Sequence, residues 1–181
     1  MVGYTYDGRN RTTRRRFDHR NNLARLRKSL SWIYREETFD AALAVTGDPI
    51  LANSLAIAVA LVDAPTQGTS WEMTRFRSMA GRKNGQKQTC QQPYRSTSDF
   101  VAQAAAAHSF AGDSDAIHAI QDSYASGHQY QFWPGGGPSG SHLWGDAQYL
   151  PDAESATENY LRTNGSLRPG NYLFPSPCPC H

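Results

Sequence analysis

Five side chains within 29 residues, His118, Asp122, His128, His142 and Asp146, have the types and spacing to do chemistry together. His118 and Asp122 stand four apart in His118-Ala-Ile-Gln-Asp122. On a helix that spacing puts an imidazole and a carboxylate on one face, one turn apart, close enough to share an ion. His128 follows where Gly127 is expected to end the helix, and His142-Leu-Trp-Gly-Asp146 repeats the His-x-x-x-Asp spacing. Such mixed His/Asp sets suit zinc or a similar divalent ion, and the lack of nearby thiols points to a catalytic rather than a structural site. A lone pair of this kind is common on helix surfaces. Two pairs flanking a further His, with Gly-rich aromatic sequence between them, are the stronger signal. Ions held by shared carboxylates are the usual apparatus for hydrolysing phosphodiesters. Asp115, one turn before His118, and Asp113 are candidates to orient the attacking water. Both also suit the positive end of a helix dipole.

The elements that must position these groups read as helices. Leu23, Leu26, Leu30, Ile33 and Tyr34 recur at spacings of three and four, predicting an amphipathic helix from Phe17 to near Glu37 with a basic outer face. Gly47-Asp48-Pro49 breaks the chain, and an Ala-rich helix over Ile50 to Val62 follows, stopped by Asp63-Ala64-Pro65. A short helix is expected around Trp71 to Ala80, then a long exposed loop from Gly81 to Thr97. Ser98 caps a helix through Ala107, and Asp113 or Ser114 caps another running to about Ser126. Residues 127–141 form a Gly/Pro/aromatic loop, and a last helix spans Pro151 to Arg162. No strand pattern stands out. The expected fold is all-α, a helical bundle with a metal-binding cleft and long loops. A linker or arm occupies residues 1–13, one α-helical domain 14–174 and a tail 175–181.

The formal net charge of +2 hides an asymmetry. Residues 1–37 carry ten Lys/Arg against four Asp/Glu, whereas residues 99–181 carry two against eight. A basic first third suits phosphates or an acidic partner. The acidic last third, which holds five of the six histidines, suits a metal. No apolar run reaches membrane-spanning length, and the Arg-rich start holds no signal-peptide core. Three cysteines make no disulfide framework, and Cys178-Pro-Cys180-His181 reads as a frayed terminus rather than a metal hook.

The run Ala116-Ile-His-Ala-Ile-Gln-Asp-Ser-Tyr-Ala-Ser-Gly-His128 resembles the central motif of the zinc-dependent phospholipase C and single-strand nuclease superfamily, and His142 and Asp146 match its second element. The wording is closest to short C-terminal toxin domains of bacterial Rhs-type secreted effectors. Tyr4-Thr-Tyr-Asp-Gly-Arg-Asn-Arg11 resembles the tyrosine/aspartate repeats of such proteins. The specific resemblance covers about a fifth of the chain. It implies an all-α bundle holding two or three zinc ions, or fewer where ligands are missing. In that scheme Asp122 bridges two ions, and His118, His128, His142 and Asp146 are terminal ligands. The resemblance also asks for a first-helix histidine, for which His19 stands, and His108 is the substitute for a histidine missing between His19 and the motif. The family's ligating N-terminal Trp has no counterpart in Met-Val-Gly. The family further implies delivery into a target cell as part of a larger effector, and a cognate immunity protein.

Two substrates follow, phospholipid at a membrane surface and, as the runner-up, single-stranded nucleic acid. The loop aromatics Phe132, Trp133 and Trp144 suit a lipid interface, stacked bases or a lid over the site. Arg9, Arg11, Arg14, Arg15, Arg16 and Arg20 would help on either anionic surface. Asp146 favours the nuclease branch, and the toxin-domain wording favours phospholipase C. A contrasting class is a non-enzymatic nucleic-acid-binding module with one structural metal.

Overall fold

The computed structural model describes residues 2–7, 11–16, 30–62, 68–89, 91–133 and 148–175. The chain divides into two compact units, Met1–Leu30 and Ser31–His181. In the first, β1 (Val2–Asp7) and β2 (Arg11–Arg16) pair antiparallel, with Val2 opposite Arg16 and Asp7 opposite Arg11. A hairpin therefore stands where a linker and no strands were expected. Arg11, Arg14, Arg15 and Arg16 all belong to β2, while Arg9, Arg20 and the segment 17–29 lie outside the described residues.

The second unit is mostly helical, as its patterning predicts. Its helices are α1 (Leu30–Thr46), α2 (Pro49–Val62), the single turn α3 (Trp71–Thr74), α4 (Gln91–Ala106), α5 (Phe110–Tyr124) and α6 (Leu150–Thr163). None among the described residues is long and apolar enough to cross a membrane. Helix α1 runs past Glu37 because Phe39, Ala41, Ala42, Leu43 and Val45 continue it without a breaker until Gly47, at φ 66°. Asp48 then caps α2, its Oδ1 accepting from Ile50 N at 2.8 Å and Leu51 N at 3.2 Å, with Pro49 at the first helical position.

The exposed loop expected over 81–97 is instead a tight hairpin followed by helix. Strands β3 (Arg82–Lys83) and β4 (Gln86–Lys87) pair antiparallel. Helix α4 begins at Gln91, so Ser98 lies inside it rather than capping it. Pro93 is tolerated because it falls in the first turn, where backbone N–H groups have no helical acceptor. Similarly, α5 is capped by Ser109, whose Oγ accepts from Gly112 N at 3.1 Å, and not by Asp113 or Ser114.

Helix α5 is the axis of the core. Every residue from Ala116 to Ser123 is buried, apolar and polar alike, which is the signature of a helix enclosed on all sides. Around it pack Leu55 and Val59 of α2, Phe100, Val101, Ala104 and Ala105 of α4, and Ala156 and Tyr160 of α6, with Tyr172 and Leu173 from the C-terminal segment. Small residues let the helices approach closely: a Cβ on Gly112 would meet the Ala104 carbonyl oxygen at 2.5 Å.

Candidate metal centre

The last turns of α5 and the loop after it bring three of the expected groups together. Asp122 Oδ2 lies 3.3 Å from His118 Nε2 and 3.0 Å from His128 Nδ1. All three side chains are buried, with relative exposures of 0% for His118, 1% for Asp122 and 4% for His128. The first contact follows from the four-residue spacing on α5. The second depends on how the chain leaves the helix.

That exit is fixed by long-range bonds. Helix α5 ends at Tyr124, earlier than expected, as Ala125 turns extended with ψ 123°. His128 N then donates to Ala125 O at 2.8 Å, and Gln131 N to His128 O at 2.7 Å. Gln129 and Tyr130 take positive φ, 34° and 63°, which folds the loop back. Tyr130 N donates to Ser78 O, and Trp133 N to Ala80 O, so the loop is clipped to the segment after α3. Ser78 in turn donates its hydroxyl to Ala119 O of α5 at 2.6 Å. One residue before Asp122, Gln121 Nε2 donates to Thr38 Oγ1 of α1 and Thr157 Oγ1 of α6, so the helix cannot rotate its carboxylate away.

Burial pushes the Asp122 carboxyl up, but His128 and His118 beside it outweigh that and hold it well below the usual carboxylate range. The carboxylate is therefore ionised in the interior. Two ring nitrogens stand within 3.3 Å of one of its oxygens, so its closest polar neighbours are the two imidazoles. Two ligands of one tetrahedral zinc, each bonded at about 2.0–2.2 Å, stand about 3.3–3.6 Å apart. The 3.3 Å contact to His118 falls at the lower edge of that range, whereas the 3.0 Å contact to His128 is an ordinary hydrogen-bond distance. Among the described residues no set of three or more His, Cys, Asp or Glu side chains, these three included, is arranged so that it could hold a metal ion. What they form is a clamp of two imidazoles on one carboxylate oxygen.

The remaining candidates separate. Asp115 lies on the same face of α5, two turns before Asp122, half-buried. Burial raises its pKa, with His118 pulling the other way. Asp113 is a structural tie, its Oδ1 accepting from the Tyr160 hydroxyl at 2.9 Å. His108 is exposed at the turn before α5, with φ 44°. At 1.5 Å per residue it is about 20 Å along the axis from Asp122, so it cannot share an ion with it. His19, His142, Asp146, Trp144 and the Cys178-Pro-Cys180-His181 tail lie outside the described residues.

Two aromatics expected to face substrate behave differently from one another. Trp133 is buried at 5% exposure, with the Arg77 guanidinium 5.1 Å from its ring centroid, whereas Phe132 is half-exposed. Trp133 is a packing residue because Ala80 and Phe132 form a bridge that turns the alternate side chain inward. Sequence reasoning missed Glu37, a buried carboxylate next to Thr38 on α1. Its signal was available, since position 37 shares a helical face with Ala41. No family model, curated protein or solved structure matches this chain.

Proposed function

We propose that this protein is a metal-dependent phosphodiester hydrolase. The observation that carries the reading is the clamp on Asp122, a carboxylate nearly inaccessible to water and gripped by two buried imidazoles at 3.0 and 3.3 Å. A buried charge is expensive to hold without a countercharge. Two nitrogens and a carboxylate oxygen are a donor set that fits zinc.

His118, Asp122 and His128 would hold the ion or ions, with His142 and Asp146 completing the set. A bound divalent ion supplies Lewis acidity toward a phosphoryl oxygen and makes water a stronger acid. Asp115, on the same helical face, would accept the proton of the attacking water, a role that its burial-raised pKa supports. Gln121, through Thr38 and Thr157, fixes the carboxylate's direction, and the hydrogen bonds at Ser78 and Ala80 keep His128 against it.

Phospholipid cleavage of the phospholipase C type and cleavage of single-stranded nucleic acid share this chemistry. The resemblance to effector toxin domains adds delivery to a target cell and an immunity protein that blocks the site. Elemental analysis of the purified protein, with assays on phospholipid vesicles and single-stranded DNA, tests the reading. Two or more ions per chain and cleavage of either substrate are expected. One tightly closed ion with no cleavage would point to the non-enzymatic binding module instead.

A further inference from the structure

A second surface, apart from the buried cluster, stacks cations on aromatic rings. Between residues 68 and 98 the sequence has six Arg or Lys and one acid, Glu72. The β3–β4 hairpin turns through Asn84 and Gly85, both with positive φ at 52° and 78°, the geometry of a two-residue hairpin turn. Every residue from Arg82 to Lys87 is exposed. Arg82 and Lys87 are direct cross-strand partners, an arrangement of like charges that destabilises a hairpin. Both reach over one ring: Lys87 Nζ is 4.3 Å and Arg82 Cζ 5.4 Å from the centroid of Phe132. Beside them Lys83 Nζ lies 4.5 Å and Arg75 Cζ 5.7 Å from the centroid of Trp71. Glu72 acts on Arg75 and Lys83 and offsets one of these charges. Among the described residues no ion pair involves Arg82, Lys83 or Lys87.

We infer that the β3–β4 hairpin, together with Trp71 and Phe132, is a binding surface for a single strand of nucleic acid. The cations meet backbone phosphates, which relieves the repulsion between Arg82 and Lys87. The exposed Arg82 guanidinium, carried on the Phe132 ring, offers a planar stacking face to an unpaired base. A membrane-inserting surface needs apolar side chains that project beyond its charges. Here the hairpin tip is Lys83-Asn84-Gly85-Gln86, and both rings are half-buried under cations. The surface is continuous with the His128 loop, because Ala80 bridges Phe132 four residues beyond that histidine. The inference does not rest on the hydrolase reading, since it concerns binding and not cleavage.

The test is fluorescence anisotropy of the full chain with a labelled oligothymidylate of about twelve nucleotides. It is run in chelator, so that no turnover intervenes, from about 50 to 300 mM salt. The triple variant R82A/K83A/K87A should bind at least about tenfold more weakly, and its log–log salt slope should shrink by about 2, or about 0.7 for each lost phosphate contact. Phe132→Leu keeps apolar bulk but removes the stack, and should weaken binding about fivefold to a hundredfold with the slope unchanged. Arg168→Ala, exposed on another part of the surface, should bind as wild type. Unchanged affinity in the triple variant would overturn the inference. So would duplex bound as tightly as single strand, or binding to phosphatidylserine vesicles without binding to the oligonucleotide.

Discussion

Replacing Asp122 by Asn keeps the shape of the side chain and removes the charge between two imidazoles at 3.0 and 3.3 Å. In metal-free protein the effect on stability has two opposed parts. The amide no longer offers the two imidazoles a negative charge, which costs stability, but it also relieves a buried charge, which restores some. A net change within about 1–3 kcal/mol is expected, and the fold survives it. The decisive quantity is the response to zinc. A ligand that binds only the folded state at 100 times its dissociation constant adds about 2.7 kcal/mol. In a domain of this size each kcal/mol moves the melting temperature by about 2–4 °C, so zinc should raise that of the wild type by about 5–11 °C. The Asn variant loses the central donor and its charge, and should shift by less than about 2 °C under the same conditions. Hydrolysis should fall by more than the 10–100-fold typical of residues that only orient ligands. Thermal unfolding is followed by circular dichroism in chelator and then in excess zinc, for both proteins. Equal zinc shifts in the two would refute the assignment of Asp122 as the metal-binding carboxylate, whatever the activities.

Three further substitutions separate packing from chemistry. Trp133→Ala removes a ring buried at 5% exposure and should cost about 3–5 kcal/mol by urea denaturation, while the half-exposed Phe132→Ala should cost well under half of that. Gly112→Ala puts a methyl group 2.5 Å from the Ala104 carbonyl oxygen, so α4 and α5 must separate. A loss of about 1–3 kcal/mol, read from the shift in denaturation midpoint, is the expected cost of overpacking there. His108→Gly relieves a non-glycine residue at φ 44°. It should leave stability unchanged or raise it by up to about 1 kcal/mol, with zinc stoichiometry by elemental analysis the same as wild type.

Much of the helical scaffold was legible where caps and breakers are local. Asp48-Pro49 opens α2, and Asn164-Gly165, both at positive φ, close α6. The start of α4 was missed because Pro93 stands in its first turn, although Thr89-x-x-Gln92 is a capping-box pattern and Thr89 N donates to Gln92 Oε1 at 3.0 Å. The β3–β4 hairpin was missed although Asn84-Gly85 is a strong turn signal. Its strands are two residues long and wholly polar, so no alternation accompanied the turn. At the N-terminus Val2, Tyr4 and Tyr6 do alternate, but the surrounding charge hid the pattern.

Within the candidate centre, the His118–Asp122 pairing followed from helical spacing alone, whereas the closure of His128 on Asp122 did not. It depends on hydrogen bonds from Tyr130 to Ser78 and from Trp133 to Ala80, partners some fifty residues upstream. Asp113 and Asp115 read alike in sequence, two acids in the opening turns of one helix. They part only because Tyr160 of α6 donates to Asp113, while Asp115 is left facing the His118 side. The Tyr160 hydroxyl is pushed far above its ordinary pKa by burial and by that bond, so it remains a donor. A helical period gives the face of a side chain; the element that will meet it is set by tertiary packing.

The position of Asp122 along α5 adds a further electrostatic argument. It falls in the helix's last turn, where unsatisfied carbonyls place partial negative charge, and no basic residue stands in that turn to offset it. A carboxylate is disfavoured there twice, by the dipole and by burial, each of which alone would favour the neutral acid. The two imidazoles reverse that preference and keep it ionised. Neutral imidazoles can do so only weakly; protonated ones do so at the expense of two charged rings in the interior. The divalent cation proposed above would resolve all three terms at once. Asp122, His118 and His128 would hold it, through the carboxylate and the lone pairs of neutral rings, near the negative end of the helix dipole. The same argument predicts which substitution should be milder: moving the charge, as in Asp122→Glu, keeps the electrostatic demand for a cation, whereas Asp122→Asn abolishes it. Glu should therefore retain a zinc-induced rise in melting temperature that Asn lacks, and a Glu variant as unresponsive as Asn would assign the requirement to side-chain length rather than charge.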